Sequence, residues 1–331
     1  MRLTITRQGK LFGTVRGPSD KSLTHRAYML GAIADGESRI SNPLMGEDCE
    51  ATLHCLQQMG LRWRESHGER ILTPAKEWHS PAGPLDCGNS GTTMRLLSGL
   101  IASRPIVAEL VGDASLSRRP MGRIAAPLRL MGAAFEGDMP PMLIRGGHLR
   151  GIRYETPVAS AQIKSCILLA GLRAEGETVV RESSLSRDHT ERMLRALGVR
   201  VISRGVGPMD TEHALPEIVE DPAHEVSLHA VARLEPFSFS VPADISSAAF
   251  LMCAAAMIPG SRITLQDVSI NPTRTGVLEV LEQCGVSVGL SNLREELGEP
   301  LADVLNGLYP AVEGFGDLAI RPSRTIGICF Q

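Results

Sequence analysis

The stretch Arg16–Gly36, RGPSDKSLTHRAYMLGAIADG, decides how the chain is read. A Gly-Pro turn opens it, and Ser19, Asp20 and Ser22 stand where a helix N-cap belongs. Leu23, Ala27, Leu30 and Ala34 follow as an apolar stripe, and Asp35-Gly36 stops it. Ser22 and Arg26 share one helix face, with Lys21 in the first turn. A helix N-terminus carries free N–H groups and partial positive charge. With Lys21, Ser22 and Arg26 added, it suits a phosphate or a carboxylate. A capped surface helix with solvated basic residues satisfies the same letters. Repetition separates the two readings.

Four segments begin with small or hydroxyl residues, run apolar and end near glycine: Ser19–Gly36, Ser90–Ser103, Ser160–Gly176 and Ser246–Gly260. A second helix type alternates with them in DCEATLHCLQQMGLRW, MGRIAAPLRLMGAAF, DHTERMLRALGVRVI and TRTGVLEVLEQCGVSV. Each of these closes at a glycine (Gly60, Gly132, Gly198, Gly285) that leads into a strand. Short β-rich pieces lie between the two types, at Ser38–Ile40, Ile106–Val111, Thr178–Val180 and Arg262–Leu265. A period of roughly 70 residues implies an array of one helix–strand–helix–strand unit, an α/β repeat present in four copies. Residues 1–16 alternate around Gly9 and predict a strand or hairpin. Pro74–Pro84 and Gly137–Gly151 read as connections, and residues 205–236 as an irregular insert or a crossing between domains. The end reads as a strand at Thr325–Phe330, which stops the pattern partway.

A chain of 331 residues accommodates two domains, and its 43% apolar and 21% charged residues are those of a globular protein. A net charge of −3 and 4% aromatics argue against nucleic acid and acidic membrane surfaces, so any anion site must be local geometry. No apolar run is long enough to span a bilayer, and the N-terminal residues lack the apolar stretch a signal peptide would carry. The seven cysteines are scattered without a C-x-x-C, which fits a reduced, cytoplasmic protein. No His pair at helical ligand spacing or Cys–His cluster suggests a metal, and no Walker-type glycine loop ending in Lys-Ser/Thr or G-x-S-x-G elbow is present. His25 and His189, each near arginine, read as hydrogen-bonding surface residues.

Three further patches repeat the opening design. Cys87–Arg95, CGNSGTTMR, sets glycines and Asn89 before a helix, where N–H groups can approach an anion; a tight turn reads the same way. Gly112–Gly122, GDASLSRRPMG, places Arg118 and Arg119 before a proline that sets the next helix start; the arginines could clamp an anion or be solvated. Ser160-Ala161-Gln162-Ile163-Lys164 opens an apolar helix, with Arg187 further on, and a simple cap is the alternative.

At GPSDKSLTHRA, CGNSGTTMRLL, GDASLSRRPMGR, SAQIKSCILLAGL, SRDHTERML, VPADISSAAF and INPTRTG the chain resembles the 5-enolpyruvylshikimate-3-phosphate (EPSP) synthases, in that family's order and over essentially its whole length. The resemblance implies six βαβαββ units in two inverse α/β-barrel-like domains of the enolpyruvyl transferase type, about four of which are present. Residues 17–235 would form a complete three-unit domain, and residues 1–16 with 236–331 an incomplete one. It implies transfer of the enolpyruvyl group of phosphoenolpyruvate to the 5-hydroxyl of shikimate 3-phosphate, with no cofactor or metal, by a cytoplasmic monomer. Lys21 would touch both substrates and serve catalysis. Ser22, Arg26, Ser160, Ala161, Gln162 and Arg187 would hold shikimate 3-phosphate. Asn89, Gly91, Thr92, Arg119 and Gln162 would frame phosphoenolpyruvate. A methyl at Gly91 would crowd that pocket and weaken phosphonates such as glyphosate.

The family's catalytic Asp and Glu lie beyond its RPSR segment, here Arg321–Arg324, after which seven residues remain. Two of six units, roughly 100 residues, would then be missing. Exposed apolar faces and little or no turnover by this chain are expected. A non-catalytic module that holds shikimate 3-phosphate is the alternative from another class. UDP-N-acetylglucosamine enolpyruvyl transferases carry a reactive Cys where this chain has Ala114 and lack the S-D-K-S opening. An RNA-end-processing enzyme built on the same unit is disfavoured by the negative charge.

Overall fold

The computed structural model describes residues 9–206 and 223–307. Two compact units form, one from Met1–Asp20 with Pro242–Gln331 and the other from Lys21–Val241. In the second unit the chain runs α1 (Lys21–Ile33), β2 (Ser38–Ser41), α2 (Glu47–Gln58), β3 (Arg62–Ser66) and β4 (Glu69–Thr73). It continues through β5 (Leu85–Asp86), α3 (Gly91–Ala102), β6 (Val107–Val111), α4 (Gly122–Met131), β7 (Ala134–Glu136) and β8 (Met142–Arg145). A third pass gives β9 (Arg153–Glu155), α5 (Ala161–Gly171), β10 (Glu177–Glu182), α6 (His189–Ala196), β11 (Ile202–Val206) and β12 (Ala223–His229), before β13 (Ser238–Ser240). The first unit holds β1 (Phe12–Val15), α7 (Ile245–Met257), β14 (Arg262–Ser269), α8 (Gly276–Gln283), β15 (Ser287–Glu296) and β16 (Glu299–Gly307).

These elements make four four-stranded sheets with one topology: β13-β2-β4-β3, β5-β6-β8-β7, β9-β10-β12-β11 and β1-β14-β16-β15. In each, the first pair is parallel and the other two antiparallel, so each repeat is one βαβαββ unit. Two units borrow their first strand across the chain. β1 precedes α1 in sequence yet lies parallel to β14 with Phe12 opposite Arg262, and β13 supplies the strand beside β2 with Ser238 opposite Arg39. The connection from β1 therefore feeds a sheet that the chain completes only after the whole second unit is built.

The two helix types fold for different reasons. α3 buries both of its faces, including Met94, Leu96, Leu97, Leu100 and Ile101, and α5 buries Ile163 through Gly171, so these are central helices. α3 packs against both α1 and α5. Gly99 permits the closest approach, since a Cβ there would sit 2.2 Å from the Cys166 carbonyl oxygen of α5. α2 is one-sided, burying Cys49, Thr52, Leu53, Cys55 and Leu56, with Glu47, Asp48 and Glu50 in its first turn. α7 is apolar all round but buries only Ile245, Ala248, Met252 and Ala255; Phe250 is 80% and Met257 76% exposed.

Several expectations change. α1 is not a surface helix, because Leu23 through Ala32 are all buried, and His25 and His189 are fully buried rather than at the surface. The stretch 205–236 is not irregular throughout: β12 (Ala223–His229) lies inside a sheet, between β10 and β11, residues 230–236 have no regular structure, and residues 207–222 lie outside the described residues. Gly137–Gly151 contains the strand β8. Asp244, not Ser246, caps α7, its side chain accepting from Ser246 N. Pro120 does not begin α4, which starts at Gly122 after a 3-10 turn over Leu116–Arg118. Residues 1–8, Arg321–Arg324 and the strand expected at Thr325–Phe330 lie outside the described residues.

Candidate functional site

Three helix starts of the Lys21–Val241 unit come together. Ser90 caps α3 by accepting from Thr93 N, and Ser160 caps α5 by accepting from Ile163 N. The Thr93 hydroxyl lies 2.7 Å from Ser90 Oγ and 2.6 Å from Thr52 Oγ1 on α2, and Thr52 lies 2.7 Å from His25 Nδ1 on α1. Gln162, in the first turn of α5, donates to Thr92 Oγ1 in the first turn of α3 at 3.0 Å. The Gln162–Thr92 bond joins the positive ends of α3 and α5, and the Thr93–Thr52–His25 chain ties the start of α3 through α2 to α1. Burial holds His25 neutral, its pKa lowered from 6.5 to about 3 despite Asp48 nearby, so it links the helices without adding charge.

Around the α3 start lies a cluster of cations. Arg119 donates to Asn89 Oδ1 at 2.5 Å, to the Asn89 carbonyl at 3.3 Å and to Ser115 Oγ at 3.2 Å. Asn89 Nδ2 in turn donates to Asp113 Oδ2 at 2.7 Å. Arg95 donates to Gln162 Oε1 at 2.7 Å, which orients the Gln162 amide toward Thr92. Burial, then Arg119 and Arg123, lower the Arg95 pKa from its usual value, while Arg119 is one of the groups that lower the pKa of the nearby Asp113. Among the described residues, none of these three guanidiniums forms an ion pair. Gly91 lies under them: a Cβ there would be 2.7 Å from Arg95 Nη1 and 3.3 Å from Arg119 Nη1.

A second group surrounds Arg26, which is 4% exposed. Its Nη1 donates to the Ser22 carbonyl at 3.0 Å, Nε to Thr190 Oγ1 at 2.7 Å and Nη2 to Ser165 Oγ at 2.9 Å, while Ser165 and Thr190 are themselves 2.7 Å apart. Lys21 turns elsewhere: its ammonium lies 2.5 Å from Asp48 Oδ2, and it is half exposed. Arg187 is exposed on the loop between β10 and α6, and Ser160 and Ala161 sit half-buried at the start of α5.

The structure thus brings Asn89, Gly91, Thr92, Arg119 and Gln162 into one bonded cluster, and Ser22 with Arg26 into another. Lys21 is held by Asp48, and Arg187 lies on the loop between β10 and α6. Sequence reasoning assigned nothing to Arg95, Thr190, Ser165 or Asp48. Arg95 had a signal, because it lies four residues after Gly91 and therefore on the same helix face one turn later. The other three are brought in by tertiary contact alone.

Among the described residues, no helix is long and apolar enough to cross a membrane, and no three His, Cys, Asp or Glu side chains gather to hold a metal. Residues 5–300 match the family described as EPSP synthase (3-phosphoshikimate 1-carboxyvinyltransferase). The chain is 48% identical over 306 residues to the 3-phosphoshikimate 1-carboxyvinyltransferase of Anaeromyxobacter dehalogenans (strain 2CP-C), covering 91% of this chain and 65% of that protein. It is 44% identical over 328 residues to the protein of that name from Brevibacillus brevis (strain 47 / JCM 6285 / NBRC 100599), covering 96% of this chain and 72% of the relative. The solved EPSP synthase from Acinetobacter baumannii superposes with a TM-score of 0.79 at 44% identity, over 90% of this chain and 65% of that one. The chain therefore spans about two thirds of the length of such relatives. An α/β architecture of repeated βαβαββ units, cations gathered at converging helix starts and identities of this size agree: the chain belongs to the EPSP synthase family.

Proposed function

We propose that the Lys21–Val241 unit binds shikimate 3-phosphate and phosphoenolpyruvate, and that the protein transfers the enolpyruvyl group to the 5-hydroxyl of shikimate 3-phosphate with release of phosphate, a step toward aromatic amino acids. The observation that carries this reading is the geometry at the start of α3, where Arg119 is held by Asn89 and Arg95 by Gln162 beside Gly91, and neither guanidinium forms an ion pair among the described residues. Gathering like charges there costs stability that a bound dianion returns.

In this reading Asn89, Gly91, Thr92, Arg119 and Gln162 frame phosphoenolpyruvate, with Arg95 added to the set. Ser22, Arg26, Ser160, Ala161, Gln162 and Arg187 hold shikimate 3-phosphate. Lys21 reaches both substrates by exchanging Asp48 for a substrate anion. In the first step the 5-hydroxyl gives its proton to a base as its oxygen bonds C2 of phosphoenolpyruvate, while an acid protonates the methylene carbon. The phosphate C–O bond then breaks as the methyl group returns a proton, restoring the double bond. Guanidiniums at the phosphate and carboxylate stabilise the charge that gathers as phosphate departs. A mobile surface arginine could not do this as well, since Arg119 and Arg95 are already oriented by Asn89 and Gln162 before any ligand arrives.

We further read residues 17–235, close to the compact Lys21–Val241 unit, as the family's complete three-unit domain, and residues 1–16 with 236–331 as part of the other. Scattered cysteines without a disulfide among the described residues favour the cytoplasm, and we read the working form as a monomer. Calorimetric titration of the chain with shikimate 3-phosphate, alongside a phosphate-release assay with phosphoenolpyruvate, tests the proposal. Binding with release supports all of it. Binding without release reduces it to a ligand-holding role, and a folded chain that binds neither substrate refutes it.

A further inference from the structure

Three fully buried charges meet behind the start of α5. Lys164 and Glu182 are 0% exposed and Glu191 is 1% exposed. The Lys164 ammonium donates to Glu182 Oε1 at 2.6 Å and lies 2.8 Å from Glu191 Oε1. None of the three is among the groups assigned above to a substrate. Buried ion pairs hold a fold together no better than apolar side chains of like volume, so stability alone does not account for them.

What the cluster does hold is Ser186. Glu182 Oε1 accepts from Ser186 N at 2.9 Å, Glu182 Oε2 accepts from Ser186 Oγ at 2.7 Å, and Lys164 Nζ donates to the Ser186 carbonyl at 3.3 Å. Every polar group of that residue is thereby taken by the Lys164–Glu182 pair. Ser186 is only half-buried, and it sits in the loop of residues 183–188 that joins β10 to α6. Apolar burial does not fix this loop, because its one large apolar residue, Leu185, is 48% exposed. The next residue after Ser186 is Arg187.

The same cluster borders the second arginine. Lys164 is followed by Ser165, and Glu191 is preceded by Thr190, the two hydroxyls that orient Arg26. Lys164 also lies one turn into α5, its amide bonded to the Ser160 carbonyl at 3.0 Å. A rigid anchor therefore ties the start of α5, the loop of Arg187 and the partners of Arg26 to one point.

We propose that Lys164 and Glu182 are positioning residues that clamp Ser186 and so aim Arg187 at the phosphate of shikimate 3-phosphate. The assignment rests on the proposed function, because it takes that ligand as the one Arg187 meets. It adds a role for charges that never touch the substrate. The mechanism is pre-organisation: an arginine on a loop already held in place loses less freedom on binding than one on a loose loop.

A double-mutant cycle, read by calorimetric titration of the chain with shikimate 3-phosphate, tests it. Arg187→Ala is expected to weaken binding tenfold or more. The paired replacement Lys164→Met with Glu182→Leu is expected to weaken it by a similar factor, since it removes the clamp, and Glu191, whose pKa burial already raises, stays in the core as the neutral acid. In the Arg187→Ala background the paired replacement should cost no more than a further twofold, because the arginine it acts through is gone. Losses that multiply instead would make the cluster merely structural and overturn the assignment. If the paired variant fails to fold, Ser186→Ala decides: it deletes only the hydroxyl bond to Glu182. It should weaken binding threefold or more with Arg187 present and not at all without it, and unchanged affinity with Arg187 present overturns the proposal. No binding by the unaltered chain would instead overturn the proposed function, and this assignment with it.

Discussion

Replacing Gly91 with alanine separates the anion site from the fold. The added Cβ would lie 2.7 Å from Arg95 Nη1 and 3.3 Å from Arg119 Nη1, whereas ordinary contacts begin near 3.4 Å. Arg95 must therefore retreat by about 0.7 Å or more. Its bond to Gln162 Oε1 now measures 2.7 Å, and a retreat of that size lengthens or misaligns it. Losing a charge-assisted bond costs about 1.5–3 kcal/mol, or roughly ten- to hundredfold in affinity for an anion held there. The clashing atoms are the ends of flexible side chains, so the backbone need not move. Gly91 is the first residue of α3, where alanine is the better helix former by up to about 1 kcal/mol. The expected result is opposite signs in two assays: thermal stability unchanged or slightly raised, and phosphoenolpyruvate affinity down tenfold or more in calorimetric titration with shikimate 3-phosphate present. Phosphoenolpyruvate affinity within twofold of the unaltered chain, in a protein of unchanged melting temperature, would refute the placement of the ligand beside Gly91.

Gly99→Ala should do the reverse. Its Cβ would meet the Cys166 carbonyl oxygen at 2.2 Å, a backbone atom that cannot swing aside, so α3 and α5 must separate by about 1 Å. A cost of about 2–3 kcal/mol is expected, read as a melting temperature lowered by roughly 4–12 °C, and a shift under 1 °C would contradict the close helix contact. His25 predicts an acid response. Its folded pKa, about 3, lies below the usual 6.5, so its contribution to stability is complete above pH 6.5 and falls by about 1.4 kcal/mol per unit as pH drops toward 3. Urea unfolding between pH 7 and pH 4 should show a shallower loss in His25→Gln by about one proton, and identical slopes would mean that His25 titrates normally.

Much of the fold is legible because its signals are local. The apolar stripes, the hydroxyl caps at Ser90 and Ser160 and the closing glycines act within a turn or two of chain, and each produced the helix they announce. The anion-suited helix starts were legible for the same reason, since Lys21, Gly91 and Gln162 lie in first turns. Surroundings were not legible. His25 and His189 look like surface residues beside arginine, yet helices from distant segments enclose them, and α1 is buried on every side.

From the amino-acid order alone follow the repeated helix pairs, their caps and the cationic character of their N-termini, because periodicity and capping depend on neighbours within one or two turns. Tertiary structure alone decided which strand completes which sheet. β1 finds its partner at Arg262 and β13 at Arg39, pairings that no local pattern encodes, since a strand's edge hydrogen bonds fit any strand of matching register. Tertiary structure also decided that Arg95 meets Gln162 and that Lys164, Glu182 and Glu191 share one buried point. A charge buried far from water is stable only where other segments bring its counter-charges, and that meeting exists only in the folded chain.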